Sequence, residues 1–155
     1  MLKSTNVLPA FATALLCTIW MILAPMAGLP GWAGFAGCTA YFAAPGKGPQ
    51  SLPSTFACVA SGIAYALLSI HLGAIVGGQA FGLFMTFATT FLMCFAGATK
   101  LLAFVPGAFM GSFSTFAAGG NLGAVAGILL GVLLGLACDT LGKKLVAISQ
   151  HTAQS

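Results

Sequence analysis

The chain places its few charges so that almost no choice of solvent remains. In 155 residues it carries five lysines, one aspartate and no arginine. Lys3, Lys47, Lys100 and the Lys143–Lys144 pair all fall between long apolar runs rather than inside them. Only 4% of the residues are charged against 59% hydrophobic, and the mean hydropathy is +1.07. A water-soluble domain carries about 25% charged residues, and a surface this poor in charge associates in water. Disorder needs the opposite composition, low hydrophobicity with high net charge. Lipid is the solvent that remains. The formal net charge of +4 comes from scattered sites, so there is no Lys/Arg cluster to hold a nucleic acid.

Apolar runs of about twenty residues read as transmembrane helices. Four such runs cover 7–28, 52–73, 77–98 and 121–142. Two shorter runs, 30–46 and 101–118, are rich in Gly, Phe and Ala and read either as full spans or as re-entrant segments. The lysines arbitrate. If both short runs cross, all five lysines lie on one side and the loops near 29–30, 73–78 and 119–120 carry none. That positive-inside bias selects six spans with both termini in the cytoplasm. The first run is longer than the apolar part of a signal peptide, about 7–15 residues, and is expected to be retained as the first helix. The expected fold is an all-α integral membrane bundle of six spans. Residues 1–144 form one transmembrane domain, followed by a polar, flexible tail at 145–155.

An internal echo divides that domain. GCTAYFAAPG (37–46) and GSFSTFAAGG (111–120) share Gly37/Gly111, Phe42/Phe116, Ala43/Ala117, Ala44/Ala118 and Gly46/Gly120. Each follows a Pro–Gly, at Pro30–Gly31 and Pro106–Gly107, and SGIAYALL (61–68) echoes AGILLGVL (126–133) after a shift of register. Two units, 1–75 and 76–144, are expected, each with a short Gly-rich middle helix, the second and fifth of the bundle. Three crossings per unit invert the second. In transporters and channels, shortened Gly/Pro-interrupted segments at matching places of inverted repeats point to the substrate path.

Helix faces supply candidate residues. Gly119, Gly123, Gly127, Gly131 and Gly135 form a ladder at every fourth position, and small residues at that spacing let membrane helices approach closely. In the third span Ser54, Cys58, Ser61, Gly62, Tyr65 and Ser69 share an arc of about 100° at 100° per residue. Phe56, Val59, Ile63, Leu67 and Ile70 lie largely opposite. In the fourth, Phe81, Phe84, Phe87, Phe91 and Phe95 oppose Gly82, Thr86, Thr89, Thr90 and Met93. Phenylalanines and branched aliphatics are expected to meet lipid. The hydroxyl faces then line a path, with Ser61, Tyr65, Ser69, Thr86, Thr90, Ser112, Ser114 and Thr115 as lining candidates. Phe42 and Phe116 are the candidate constrictions.

Other chemistry is sparse. Asp139, the only acid, stands four residues before Lys143, the spacing of a helical ion pair. Proton pumps need ionisable groups deep in the membrane, and this chain places none there. His71 lies near the outer end of the third span and His151 in the tail. Trp20 and Trp32 flank the first outer loop, as in an aromatic belt. Among Cys17, Cys38, Cys58, Cys94 and Cys138 no two are closer than twenty residues, so no metal-ligand spacing exists, and free packing thiols are expected. No GxSxG, HExxH or phosphate-cradling loop is present. Neither an enzyme nor a cofactor nor a metal is expected.

FVPGAFMGSFSTFAAGGN (104–121) and GWAGFAGCTAYFAAPGKG (31–48) resemble the YcdZ-like bacterial inner-membrane proteins. The resemblance covers nearly the whole chain and implies a multi-pass protein of the bacterial inner membrane with no established activity. In layout alone, two three-helix units are similar to the acid-gated urea and amide channels. The tryptophan-rich constriction of those channels has no counterpart here, since Trp20 and Trp32 are the only tryptophans. The expected function is a channel or facilitator for a small neutral polar solute such as urea, in a homo-oligomer embedded in the bilayer. The alternative is a non-transporting partner subunit that assembles through the glycine ladder.

Overall fold

The computed structural model describes residues 4–46 and 48–152. Lys3 and Lys47, on which the charge argument partly rests, lie outside them. Among the described residues six helices follow one another: α1 Ser4–Met26, α2 Gly31–Ala43, α3 Leu52–Val76, α4 Gln79–Ala96, α5 Val105–Ala117 and α6 Leu122–Thr152. A single 3-10 turn, Pro49–Ser51, leads into α3. Four segments are long and apolar enough to cross a membrane: Val7–Met26, Pro49–Val76, Gln79–Ala96 and Leu122–His151. The other two helices, α2 and α5, have 13 residues each. At 1.5 Å per residue they rise about 20 Å, well short of a hydrocarbon core of about 30 Å. The chain beyond 145, expected to be a flexible tail, continues α6 as far as Thr152.

The short helices are held by the long ones. α2 packs most heavily on α6, and α5 on α3; α1 lies against α6, and α4 more lightly against α3. The contacts fix the directions. Gly127 meets Ala33, Gly131 meets Gly34 and Gly135 meets Tyr41, so α2 and α6 run parallel. Gly107 meets Cys58 and Gly120 meets Leu67 and Ile70, so α5 and α3 also run parallel. Gly142 rests on Pro9 near the start of α1 and Gly123 on the Gly28 carbonyl just past its end, so α1 runs against α6. One end of the bundle therefore carries Lys100, Lys143 and Lys144 with the starts of α3 and α5. The other end carries the α3–α4 and α5–α6 turns.

The two parallel crossings are built alike. A Cβ at Gly37 would overlap the Ile128 carbonyl, and one at Gly111 would overlap the Val59 carbonyl. Likewise Gly131 sits on the Gly34 carbonyl, and Gly62 on that of Ala108. This correspondence pairs Gly62 with Gly131. The sequence echo of 61–68 with 126–133 pairs it instead with Gly127, one helical turn away. Four ladder glycines, from Gly123 to Gly135, face α2 and its N-terminal loop within the same chain. The fifth, Gly119, lies outside α6 in the α5–α6 turn at φ +60, with nothing within 4 Å of where its Cβ would be. The Asn121 side chain accepts from the Ala124 N–H at 3.0 Å and caps α6.

The core is Val59, Ile63, Ile128 and Val132 with Ala33, Ala40 and Tyr41. Val59 and Ile63, expected to face lipid, are 0% and 4% exposed. The expectation fails because lipid is as apolar as an aliphatic side chain. Membrane helices are sorted by packing fit rather than by hydrophobicity. Of the phenylalanines of α4, Phe84, Phe87, Phe91 and Phe95 are exposed, while Phe81 is half-buried. Trp20 is packed within the bundle. Its indole lies over Gly34, and its N–H donates to the Gly31 carbonyl at 2.8 Å, tying α1 to α2.

Candidate functional site

Two cavities occupy matching places at opposite ends of the bundle. At the lysine-bearing end, α1, the C-terminal ends of α2 and α6 and the following loop enclose about 330 Å³. Thr13, Tyr41, Phe42, Cys138, Asp139 and Lys143 contribute to its wall. Its polar side is a relay: Lys143 Nζ lies 2.6 Å from Asp139 Oδ2, and the Tyr41 hydroxyl donates to the same oxygen at 3.1 Å. The i,i+4 ion pair read from the sequence is thus present, with a tyrosine on it that the spacing did not announce. At the far end, α3, α4 and α5 border an open cleft of about 390 Å³ lined by Ser69, Gly73, Gln79, Met85, Thr86 and Phe116 among others. No charged side chain lines that cavity.

The lining candidates are dispersed over these features. Ser69 and Thr86 meet in the far cavity with Phe116. Thr86 and Thr90 also line an open groove on α4. Ser112, Ser114 and Thr115 are buried on α5, while Ser61 and Tyr65 are half-buried at the edge of the packed face of α3. Phe42 and Phe116 are each about half exposed at the mouth of a cavity, one at either end. Several hydroxyls are used locally. Thr86 donates to Gly82, Thr115 to Gly111 and Ser61 to Cys58, all backbone carbonyls of the same helix. Ser69 Oγ and Ser114 Oγ are different, because both are buried without a hydrogen-bond partner among the described residues. His71 is exposed, its Nδ1 2.8 Å from the Leu67 carbonyl oxygen.

The fold also assembles a group that spacing in the sequence concealed. Cys17 of α1, Cys38 of α2 and Cys138 of α6 bring their Sγ atoms within 4.8 Å of one another. Cys38 and Cys138 are buried and Cys17 is half-buried. Two glycines explain the convergence. Cys38 follows Gly37, whose missing Cβ seats α2 on the α6 backbone. Cys138 stands seven residues after Gly131, two helical turns along the same face. The legible signal was this register with the glycine ladder, not the distance between cysteines in the chain.

Comparison with known proteins agrees with the sequence resemblance. Residues 10–143 match the family described as "Protein of unknown function (DUF1097)". The chain is 39% identical over 146 residues to the Inner membrane protein YcdZ of Escherichia coli (strain K12), covering 93% of this chain and 90% of that one. It is 38% identical over 149 residues to the protein of the same description from Salmonella typhimurium (strain LT2), covering 94% and 93%. No solved structure matches it.

Proposed function

The chain belongs to the DUF1097 family, and on that footing we propose that it is a multi-pass inner-membrane facilitator for a small neutral polar solute of urea-like size. In this reading two inverted three-helix units, 1–75 and 76–144, each cross three times and leave both termini in the cytoplasm. The matched crossings of α2 on α6 and α5 on α3 favour that division. The alternating helix directions and the clustering of Lys100, Lys143 and Lys144 at one end favour the orientation.

The observation that carries the transport reading is the pair of opposed cavities, each with a phenylalanine from the end of a short helix at its mouth. Open clefts at matching places of two repeats are what a route through a repeat interface needs. Ser69 and Ser114 add buried hydroxyls whose hydrogen-bonding capacity is unspent. Between the cavities Val59, Ile63, Ile128 and Val132 fill the bundle, so passage requires an outer helix to shift. α4, the lightly packed counterpart of α1, is the one least restrained. Stopped-flow light scattering on proteoliposomes, with urea, glycerol, ammonia and small amides, tests the reading. Permeability above that of empty liposomes for one of them is expected, reduced by Phe116→Trp. Equality for all of them sinks it. Labelling of Lys47→Cys from the periplasmic side would refute the orientation.

A second reading, a subunit of a homo-oligomer, is favoured by one observation. On α4, Phe87, Phe91 and Phe95 stack in a row, with ring centroids 6.4 and 5.9 Å apart, on an exposed face. The glycine ladder, which the sequence offered for such assembly, lies against α2 of the same chain from Gly127 to Gly135. Cys94 is exposed on α4, so oxidative cross-linking in native membranes reads the point directly. A Cys94-dependent dimer is expected, and its absence leaves this face to lipid.

A further inference from the structure

We propose that Cys17, Cys38 and Cys138 form a three-sulfur site for a soft monovalent ion, Cu(I). Three sulfurs around one ion at a bond length of about 2.3 Å stand about 4.0 Å apart. The three Sγ atoms already lie within 4.8 Å of one another, so closing the site takes side-chain adjustment, not helix movement. Each sulfur comes from a different helix. The α2–α6 crossing that sets two of them rests on backbone contact at Gly37 and Gly131, so the site sits on one of the two closely packed crossings of the bundle.

The donor set selects the ion. Thiol and thiolate sulfur favour Cu(I), zinc and iron–sulfur clusters over hard cations. Structural zinc takes four protein ligands. Among the described residues no fourth Cys, His, Asp or Glu joins this group. Asp139, next in sequence to Cys138, is engaged by Lys143 and Tyr41. Cu(I) is content with two or three sulfurs. Bound by two thiolates and one thiol, it displaces two protons and leaves the site with a net charge of −1. The ion enters as Cu(I), and no electron is exchanged.

Two further observations separate this site from ordinary packing thiols. Cys138 lines the cavity at the lysine-bearing end, which opens a route to the sulfurs from that side. In the other crossing, Ser112 follows Gly111 as Cys38 follows Gly37, and Ser69 stands seven residues after Gly62 as Cys138 does after Gly131. Both serines are buried. Matching packing positions thus accept a hydroxyl, and sulfur is not what the crossing requires. The proposal does not depend on solute transport, and its failure would leave that reading untouched.

The test is anaerobic titration of the reduced protein in nanodiscs with Cu(I), in competition with a chromophoric Cu(I) chelator. One equivalent per chain is expected, with X-ray absorption reporting sulfur-only coordination. Cys38→Ser and Cys17→Ser should each weaken binding at least about tenfold, since even outer-shell partners of a metal ligand are worth 10–100-fold. The triple Cys→Ser variant should bind none, and Cys94→Ser should bind as the parent does. Monodisperse elution and an unchanged melting temperature confirm that each variant folds. No stoichiometric uptake by the reduced parent protein overturns the site, as does equal uptake by the triple variant. Tighter retention of Zn(II) than of Cu(I) overturns the choice of ion.

Discussion

Substituting Gly37 by alanine tests the central claim about this bundle, that backbone contact without intervening side chains holds it together. The new Cβ would stand 2.6 Å from Val132 N and 2.8 Å from the Gly131 carbonyl carbon, and would overlap the Ile128 carbonyl oxygen. All three neighbours are backbone, so no side chain can swing aside. Restoring ordinary contact requires α2 and α6 to part by about 1.5 Å, and a gap of even about 1 Å forfeits a quarter to a half of each affected dispersion contact. Overpacking of this kind costs about 1–3 kcal/mol. The helix-propensity gain of alanine over glycine returns at most about 1 kcal/mol. Because the separation also loosens Gly34 on Gly131 and Ala33 on Gly127, the net loss is expected near 2 kcal/mol. For a chain of this size that is a fall of about 4–8 °C in melting temperature. The assay is size-exclusion thermostability in a mild detergent. Gly82→Ala is the control: it changes the same residue type within a helix, but nothing lies within 4 Å of the added carbon. It should leave the melting temperature level or raise it. Gly111→Ala, against the Val59 backbone, should behave like Gly37→Ala. If Gly37→Ala melts with the parent protein, or Gly82→Ala falls as far, close backbone approach is not what stabilises the fold.

Other consequences are as direct. Tyr41→Phe removes the hydroxyl from Asp139 and should cost about 1 kcal/mol, below the range of about 1.5–3 for hydrogen bonds to charged groups because the site is partly open; chemical denaturation in mixed micelles reads it. Ser114→Ala deletes a buried hydroxyl with no partner, so stability should hold or rise by about 1–3 kcal/mol, the penalty of an unsatisfied polar group. A clear loss of stability there would mean that the hydroxyl is bonded. Asn121→Ala removes the cap on α6 and should cost about 0.5–2 kcal/mol, seen as faster amide exchange in the first turn of that helix.

What could be read from the sequence depended on which physical rule applied. Helix positions were legible because lysine and Pro–Gly punctuation marks where a chain leaves an apolar solvent, and all six helices fall within a few residues of the runs that predict them, apart from the C-terminal extension of α6. Facing was not. Val59 and Ile63 looked like lipid contacts because they are branched and apolar, yet inside and outside have the same polarity in a bilayer, and shape decides. Gly62 and Gly131 correspond through the carbonyls they sit on, which no alignment of side chains can register. The tyrosine on Asp139 and the convergence of three thiols are tertiary facts of the same kind, with 98 residues between Tyr41 and its acceptor.

The two crossings therefore separate scaffold from chemistry. Gly37 and Gly111, and Gly131 and Gly62, do the same mechanical work, because a missing Cβ lets each helix backbone rest directly on its neighbour. The side chains just beyond them are free to differ, and they do: Cys38 and Cys138 beside an ion pair at one end, Ser112 and Ser69 beside an uncharged cavity at the other. A repeat held by glycine can change the chemistry of one end without altering the crossing angle of the other. On the two-unit reading the bundle is symmetric in backbone and asymmetric in function. The residues that distinguish the lysine-bearing end from the other are those one and seven positions after the glycines. Exchanging Cys38 for serine while leaving Gly37 intact should then change what the lysine-bearing end binds and leave melting unchanged. Changing Gly37 should do the reverse, lowering stability with the sulfurs still present.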